Sequence, residues 1–355
     1  VKKVSEALRK IRNTARFILG NLDSSKENAV DFSNENKINV DVDSLSPLDS
    51  LMIYRLETFI QETAIAYENF NYRKVFDLVQ QMISNDLSAF YMDVSKDRLY
   101  CDDKNDLKRK QCQDVLVYTL KALLAVVAPI APFTCEDIYQ YYIIDNNKNE
   151  KSDNQKMEYV DKDTGKGTGV YDVNSVFQNL QWPSLSNTSS SDRKSNILNG
   201  WKIISATRDA TKRQIENIRK EDIIELGDDL EAKVHISIIS SKNENVASNA
   251  FLLFNNELED IFGTSQVTVE YKNIANMSDA AESNSTAYSE VVNISNEVNI
   301  VVVVDQADGD KCLRCWKYSP SVEEVDLEQV IISDDSDDND SMVPLCPRCK
   351  EIVCG

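Results

Sequence analysis

Two cysteine pairs close this sequence, Cys312-Leu313-Arg314-Cys315 and Cys346-Pro347-Arg348-Cys349. Each C-x2-C turn can aim two thiolates at one point. Two such turns complete a tetrahedral four-sulfur site, the geometry a structural zinc ion prefers. Cys312, Cys315, Cys346 and Cys349 are therefore expected to bind one Zn2+. A lone C-x-x-C suits a redox pair equally well, but two pairs flanking one small module favour metal. Four sulfurs leave no open coordination position, so such an ion organises structure and does not activate water.

The residues around the pairs narrow the chemistry. Arg314 and Arg348 sit inside the two knuckles, and Trp316 and Lys317 follow the first. Guanidinium groups suit phosphates and an indole suits base stacking, so the module is expected to meet nucleic acid. The plainer alternative has Trp316 only covering the metal site. The chain's net charge of −20 opposes a nucleic-acid partner at first sight. Its distribution weakens that objection. The stretch 321–341, between the cysteine pairs, holds nine acids and no Lys or Arg, whereas Lys2, Lys3, Arg9, Lys10, Arg12 and Arg16 open the chain against one Glu6. A second basic run spans Arg193 to Lys220. Local charge governs phosphate contacts, while the global sum mostly concerns solubility.

Other chemistry is missing. The single histidine, His235, lies in an alternating stretch that reads as a strand. There is no phosphate-binding P-loop, no G-x-G-x-x-G fingerprint and no G-x-S-x-G elbow. Cys101, Cys112, Cys135 and Cys354 show no disulfide spacing and are expected to stay reduced. The longest apolar run, 122–133, is too short for a bilayer and carries Pro129 and Pro132, so no membrane partner is expected. The opening reads as a helix with no leader before it, which suggests a chain that begins within a longer protein.

The elements that must position these residues follow from periodicity. Val4, Leu8, Ile11, Ala15 and Ile18 predict a helix over 1–19 that stops at Gly20 and Asn21. After a polar stretch, 22–45, Ser46 and Pro47 open a second helix with Ser46 as N-cap and Asp49 in its first turn. Further helices are predicted at about 72–94 and 107–128, and a short one capped by Thr134 and Asp137 runs into Tyr142. These five amphipathic helices predict an antiparallel bundle over 1–142. Residues 143–195 read as a polar linker with one apolar piece, 175–185. From 196 to 306 a small α/β domain is predicted, with helices at 196–220 and 244–262 and strands at 231–239, 266–271 and 297–304. The metal module occupies 307–355, with the acidic insert at 321–341. The fold class expected is mainly α: a helical bundle, then a small α/β domain and a four-cysteine zinc module.

Several stretches resemble one family. KIRNTARFILGN (10–21), YENFNYRKVFDLVQQMISNDLSAFY (67–91), KDRLYCD (96–102) and LLAVVAPIAPFTCEDIY (123–139) resemble the anticodon-binding helical bundle of class I aminoacyl-tRNA synthetases. KDRLY together with KCLRCW and CPRC is similar to the isoleucyl type found in bacteria and organelles. The HIGH and KMSKS signatures are missing, as is any editing domain, so the resemblance is to the C-terminal portion alone. It implies a tRNA clamp for a ligase that joins isoleucine to its tRNA with ATP, the ATP being used only in the absent catalytic part. In that reading Arg12, Arg16, Lys311, Arg314 and Lys317 neutralise phosphates. Phe17, Arg314 and Trp316 stack on or pair with unstacked anticodon bases, with bundle core as the alternative for Phe17. Arg98 and Tyr100 would brace helices. The spacing between the cysteine pairs is longer than the family's usual. A monomer is implied, and a mitochondrial matrix protein with Asn/Asp-rich insertions, a bacterial cytoplasm being the alternative. Rival readings are a valyl or leucyl synthetase, a DNA-repair glycosylase with a related zinc finger, and a zinc-stabilised module that binds protein.

Overall fold

The computed structural model describes residues 2–22, 41–147, 156–160, 167–172, 176, 182, 191–221, 224, 226–240, 246–273, 289–295, 298–326 and 342–354. Most of the expected loop at 22–45, much of the linker at 143–195 and the heart of the acidic insert, 327–341, lie outside them. The chain divides into two compact units. The first comprises Val1–Leu45, Met52–Asp93 and Lys110–Thr188, and the second Ser46–Leu51, Val94–Arg109 and Ser189–Gly355. The two units are interleaved along the chain, whereas the boundaries read from the sequence at 142 and 195 are linear. Two short pieces of the helical region, 46–51 and 94–109, pack with the C-terminal half.

The first unit is a helical bundle. Helix α1 (Lys2–Asn21) buries Ala7, Ile11, Thr14, Ala15 and Ile18 along one stripe. The stripe is turned slightly from the predicted one, leaving Val4 exposed and Leu8 half-buried. Helix α2 (Pro47–Glu68) starts as predicted, with the Ser46 hydroxyl accepting from the Asp49 amide at 3.2 Å. Helix α3 (Tyr72–Gln81) is capped by Asn71, which accepts from the Lys74 amide, and continues from Met82 to Tyr91 as a wider π-helix. That rewinding carries no Pro or Gly signal in the sequence. A short helix, α4 (Lys96–Cys101), belongs to the second unit and precedes α5 (Leu107–Val127) in the chain. Helix α6 (Pro132–Asn147) begins two residues before the predicted Thr134 cap, with Pro132 at its first position, where a missing amide proton costs nothing. Gln113 of α5 donates to the carbonyl of Asn21 at 3.0 Å, and the Tyr67 hydroxyl donates to the Val126 carbonyl at 2.6 Å. The end of α1 therefore lies beside the start of α5, and the ends of α2 and α5 lie together, the up-and-down order of a bundle. The predicted polar linker contains an antiparallel hairpin, β1 (Lys156–Val160) with β2 (Gly167–Asp172).

The second unit is built on α7 (Ser191–Glu221), which starts five residues before its predicted position. It lies against one face of a four-stranded sheet ordered β4-β3-β6-β5: β3 (Ala232–Ser240), β4 (Gln266–Asn273), β5 (Ser289–Ser295) and β6 (Val298–Gln306). β3 and β4 are parallel, and the other pairings are antiparallel. The crossover between the parallel strands was predicted as one helix. It is two, α8 (Val246–Leu253) and α9 (Leu258–Phe262), broken by a 3-10 turn at Asn255–Glu257. Gly263, at φ 71°, closes α9 in the left-handed region that glycine tolerates best. Strand β5 falls where a polar loop was predicted. β3 alternates as its sequence does, burying Ala232, Val234, Ile236 and Ile238 and leaving His235 on the other face.

Candidate metal centre and nucleic-acid interface

A two-residue ladder, β7 (Asp310–Lys311) with β8 (Tyr318–Ser319), frames the first knuckle. Gly309, at φ 87°, makes this tight return possible, since a Cβ there would meet the backbone at Ser319–Pro320. Within the knuckle the Cys312 amide donates to the Lys317 carbonyl at 3.0 Å and the Trp316 amide to the Cys312 carbonyl at 2.8 Å. The second knuckle follows β10 (Met342–Leu345), which pairs antiparallel with β9 (Glu323–Asp326). It runs into α10 (Pro347–Cys354), whose first turn carries Cys349. The Leu313 amide donates to the Pro344 carbonyl at 3.0 Å, tying the knuckles together. The first residues of the predicted acidic insert are thus structural: β9 supplies the other half of this hairpin and buries Val325.

The two turns bring the four predicted ligands together. The sulfurs of Cys312, Cys315, Cys346 and Cys349 all lie within 4.8 Å of one another, and those of Cys315 and Cys346 are 3.8 Å apart. A tetrahedron with metal–sulfur bonds of about 2.3 Å has edges of about 3.8 Å, so the four thiols fit one metal ion. Cys312 and Cys349 are fully buried, and Cys315 and Cys346 partly so. In the metal-free protein the Cys315 thiol is pushed up to about 12, first by its hydrogen bond to Cys349 and then by burial. A divalent cation held by the four sulfurs would reverse that balance, by binding thiolate and releasing the proton. Cys354 is exposed and outside the cluster.

The basic residues of the knuckles face inward. Arg348 forms a fork with Asp97, both contacts at 2.8 Å, and reaches Asp102 at 3.1 Å. Lys317, its side chain 18% exposed, binds Asp260 at 2.8 Å and Asp97 at 3.3 Å, with Glu259 at 3.9 Å. Burial alone would raise the Asp97 carboxyl, but the hydrogen bond from Arg348 and the charge of Lys317 hold it at about 2. Asp102 goes the other way: burial raises it, and Arg348 offsets this only in part. Arg314 donates to the Cys101 carbonyl, while the Cys101 thiol points back to the Arg314 carbonyl at 3.8 Å. The Asp-Arg-Leu-Tyr-Cys-Asp stretch is therefore the floor on which the module sits, a role its sequence did not announce. Arg98 braces the same floor as predicted, in a buried fork with Asp49 at 2.9 and 3.1 Å.

Of the predicted contact residues, Lys311 and Trp316 remain at the surface of the module. Trp316 is 57% exposed, held at φ 65°, and Lys311 lies over its ring at 5.4 Å from the centroid. A tryptophan in the left-handed region is uncommon, and such backbone tends to be kept where a side chain must project. On α1, Arg12 and Arg16 are exposed on one helical face with Arg9, and Phe17 beside them is half-buried. Arg12 pairs with Asp137 at 2.7 Å in an exposed contact, the kind worth at most about 1 kcal/mol. The second basic run is spent within its own unit. Arg208 donates to the Ile261 carbonyl, Arg213 pairs with Glu290, and Arg219 binds the Leu226 carbonyl and Asp229. No helix among the described residues is long and apolar enough to cross a membrane.

A family model for the anticodon-binding domain of tRNA ligases matches residues 49–236. Curated relatives are similar over essentially the whole chain. An isoleucine–tRNA ligase of Fervidobacterium nodosum is 28% identical over 355 residues, which is 100% of this chain and 30% of the relative. One of Caldicellulosiruptor bescii is 30% identical over 353 residues, 99% of this chain and 30% of the relative. One of Staphylococcus aureus is 28% identical over 358 residues, again 99% and 30%. The chain thus spans about 30% of the length of the curated relatives it matches.

Proposed function

We propose a function from one premise: this chain belongs to the family of anticodon-binding domains of tRNA ligases. It is the tRNA-holding part of an isoleucine–tRNA ligase, presenting the anticodon arm while ATP-dependent attachment of isoleucine takes place elsewhere in the protein. The observation that carries this reading is the family match over 49–236 within a chain similar from end to end to isoleucine–tRNA ligases. The partner is the tRNA for isoleucine. The chain acts as a monomer in the mitochondrial matrix, with a bacterial cytoplasm as the alternative. The four cysteines hold one structural Zn2+, which supplies a cross-link between the knuckles and no reactive position.

Within this reading the chain's own residues divide the work. Arg12 and Arg16 on α1 and Lys311 on the metal module meet phosphates. Trp316, projected by its knuckle and flanked by Lys311, offers an unstacked anticodon base a π-face. Phe17, half-buried beside Arg16, lines the α1 contact. Arg314 and Lys317 keep their protein partners and hold the module's shape.

The test is binding of the chain to isoleucine tRNA and to a copy with a swapped anticodon, with Trp316→Ala in parallel. Preference for the cognate anticodon is expected. The variant is expected to lose roughly 1–3 kcal/mol of affinity, the worth of one base–aromatic stack. Equal binding to both RNAs would refute anticodon reading, and full affinity in a folded Trp316→Ala protein would remove Trp316 from it.

A further inference from the structure

One carboxylate touches both metal knuckles, and it lies outside them. Asp97, in α4, takes the Arg348 guanidinium in a fork at 2.8 Å on each oxygen and the Lys317 ammonium at 3.3 Å. Arg348 sits between the ligands Cys346 and Cys349, and Lys317 two residues after the ligand Cys315. The two knuckles belong to separate hairpins, joined directly by the Leu313 amide donating to the Pro344 carbonyl. Asp97 is largely withdrawn from solvent, its side chain 15% exposed, so these contacts are little screened.

We propose that Asp97 is the positioning residue of the metal site: it clamps the two knuckles to each other through Arg348 and Lys317, so that the four sulfurs stand at ligand distance before the metal arrives. The proposal rests on the metal reading above and not on the tRNA reading. Four thiolates around one divalent cation carry two net negative charges. Cations near the sulfurs offset them, and Arg314 already donates to the Cys349 sulfur at 3.5 Å. Asp97 fixes two further cations, those of Arg348 and Lys317, beside the same cluster. Partners outside the ligand shell commonly set metal affinity by 10–100-fold.

Field and position make opposite predictions, which is what makes the idea testable. If only the electrostatic field mattered, removing a carboxylate near four thiolates would tighten metal binding. If Asp97 positions the knuckles, its removal weakens binding. The experiment is chelator competition for zinc on the wild-type chain, Asp97→Asn, Arg348→Gln and the double variant, with circular dichroism and thermal unfolding of each metal-free protein. Asp97→Asn is expected to bind zinc about 10–100-fold more weakly. The double variant is expected to be no weaker than about twofold below the worse single one, since both cut the same clamp. The Co2+-substituted Asp97→Asn protein is expected to keep a four-sulfur spectrum, with only its affinity changed. Unchanged or tighter zinc binding in Asp97→Asn overturns the clamp. Should that variant fail to fold, Lys317→Met cuts the other arm, and wild-type affinity there overturns it equally. A wild-type chain that binds no zinc overturns the metal reading and the clamp with it.

Discussion

Glu257 shows how far a tertiary environment moves a residue from its ordinary chemistry. Its carboxylate is 8% exposed and one oxygen accepts the Leu48 amide at 3.1 Å, capping the start of α2. Burial, then the charge of Asp49, pushes its pKa up to about 7. The folded state therefore holds this proton more tightly than the unfolded chain. The contribution is full below about pH 4.5 and is lost as pH rises through about 7, at a cost on the order of 3 kcal/mol. Glu257→Gln keeps an acceptor for Leu48 and removes the titration. Its denaturant midpoint is expected to vary less than wild type between about pH 5 and 8 and to exceed wild type at the upper end. Parallel pH profiles for the two proteins would show that Glu257 does not titrate in this range. Asp97 has the opposite sign, with its contribution present above about pH 4 and lost as pH falls toward 2. Neither residue differs in type from the many exposed acids of this chain.

Among the elements, those with long, regular periodicity matched their sequences best. α1, α2, α5, α7 and β3 follow from the spacing of their apolar residues, because one face of each meets a core. The departures sit where pairing with a distant strand decides. β5 lies in a stretch rich in Asn and Ser that reads as loop, and it exists as the outer partner of β6. β9 reads as part of a solvated acidic insert, and it exists as the partner of β10. The break between α8 and α9 places Glu257 at the start of α2, which no local signal encodes. The metal module is the element with least support of its own, its buried core being Cys312, Val325, Leu345 and Cys349. So small a core depends on support from outside it, from the Asp97 contacts and from a metal cross-link. Cys346→Ser is expected to lose zinc and to open amides over 310–326 and 342–354 to hydrogen exchange while β3 and β6 stay protected. Full metal retention by elemental analysis would show that the ligand set is wrong.

For the whole molecule, the balance of charge matters more than its sum. The net charge is −20, and most arginines and lysines that look available in the sequence are paired in the fold. Among the described residues, Arg12, Arg16 and Lys311 are the cations that the proposed tRNA contact draws on. Three phosphate contacts predict that the logarithm of the tRNA binding constant falls with the logarithm of salt at a slope of roughly −2 to −3. A slope steeper than about −4 would mean that paired arginines such as Arg314 or Arg348 turn outward onto RNA. The sequence by itself pointed to the four clustered cysteines, because each C-x2-C turn aims its two sulfurs locally. It also determined the helical bundle, through apolar periodicity, and the resemblance to tRNA-ligase anticodon-binding domains. Only the tertiary structure decided which cations are spent on the protein's own carboxylates and which face solvent. Charge type is written in the chain. The partner of a charge is set by residues hundreds of positions away, as Asp97 is from Arg348, and only packing brings them together.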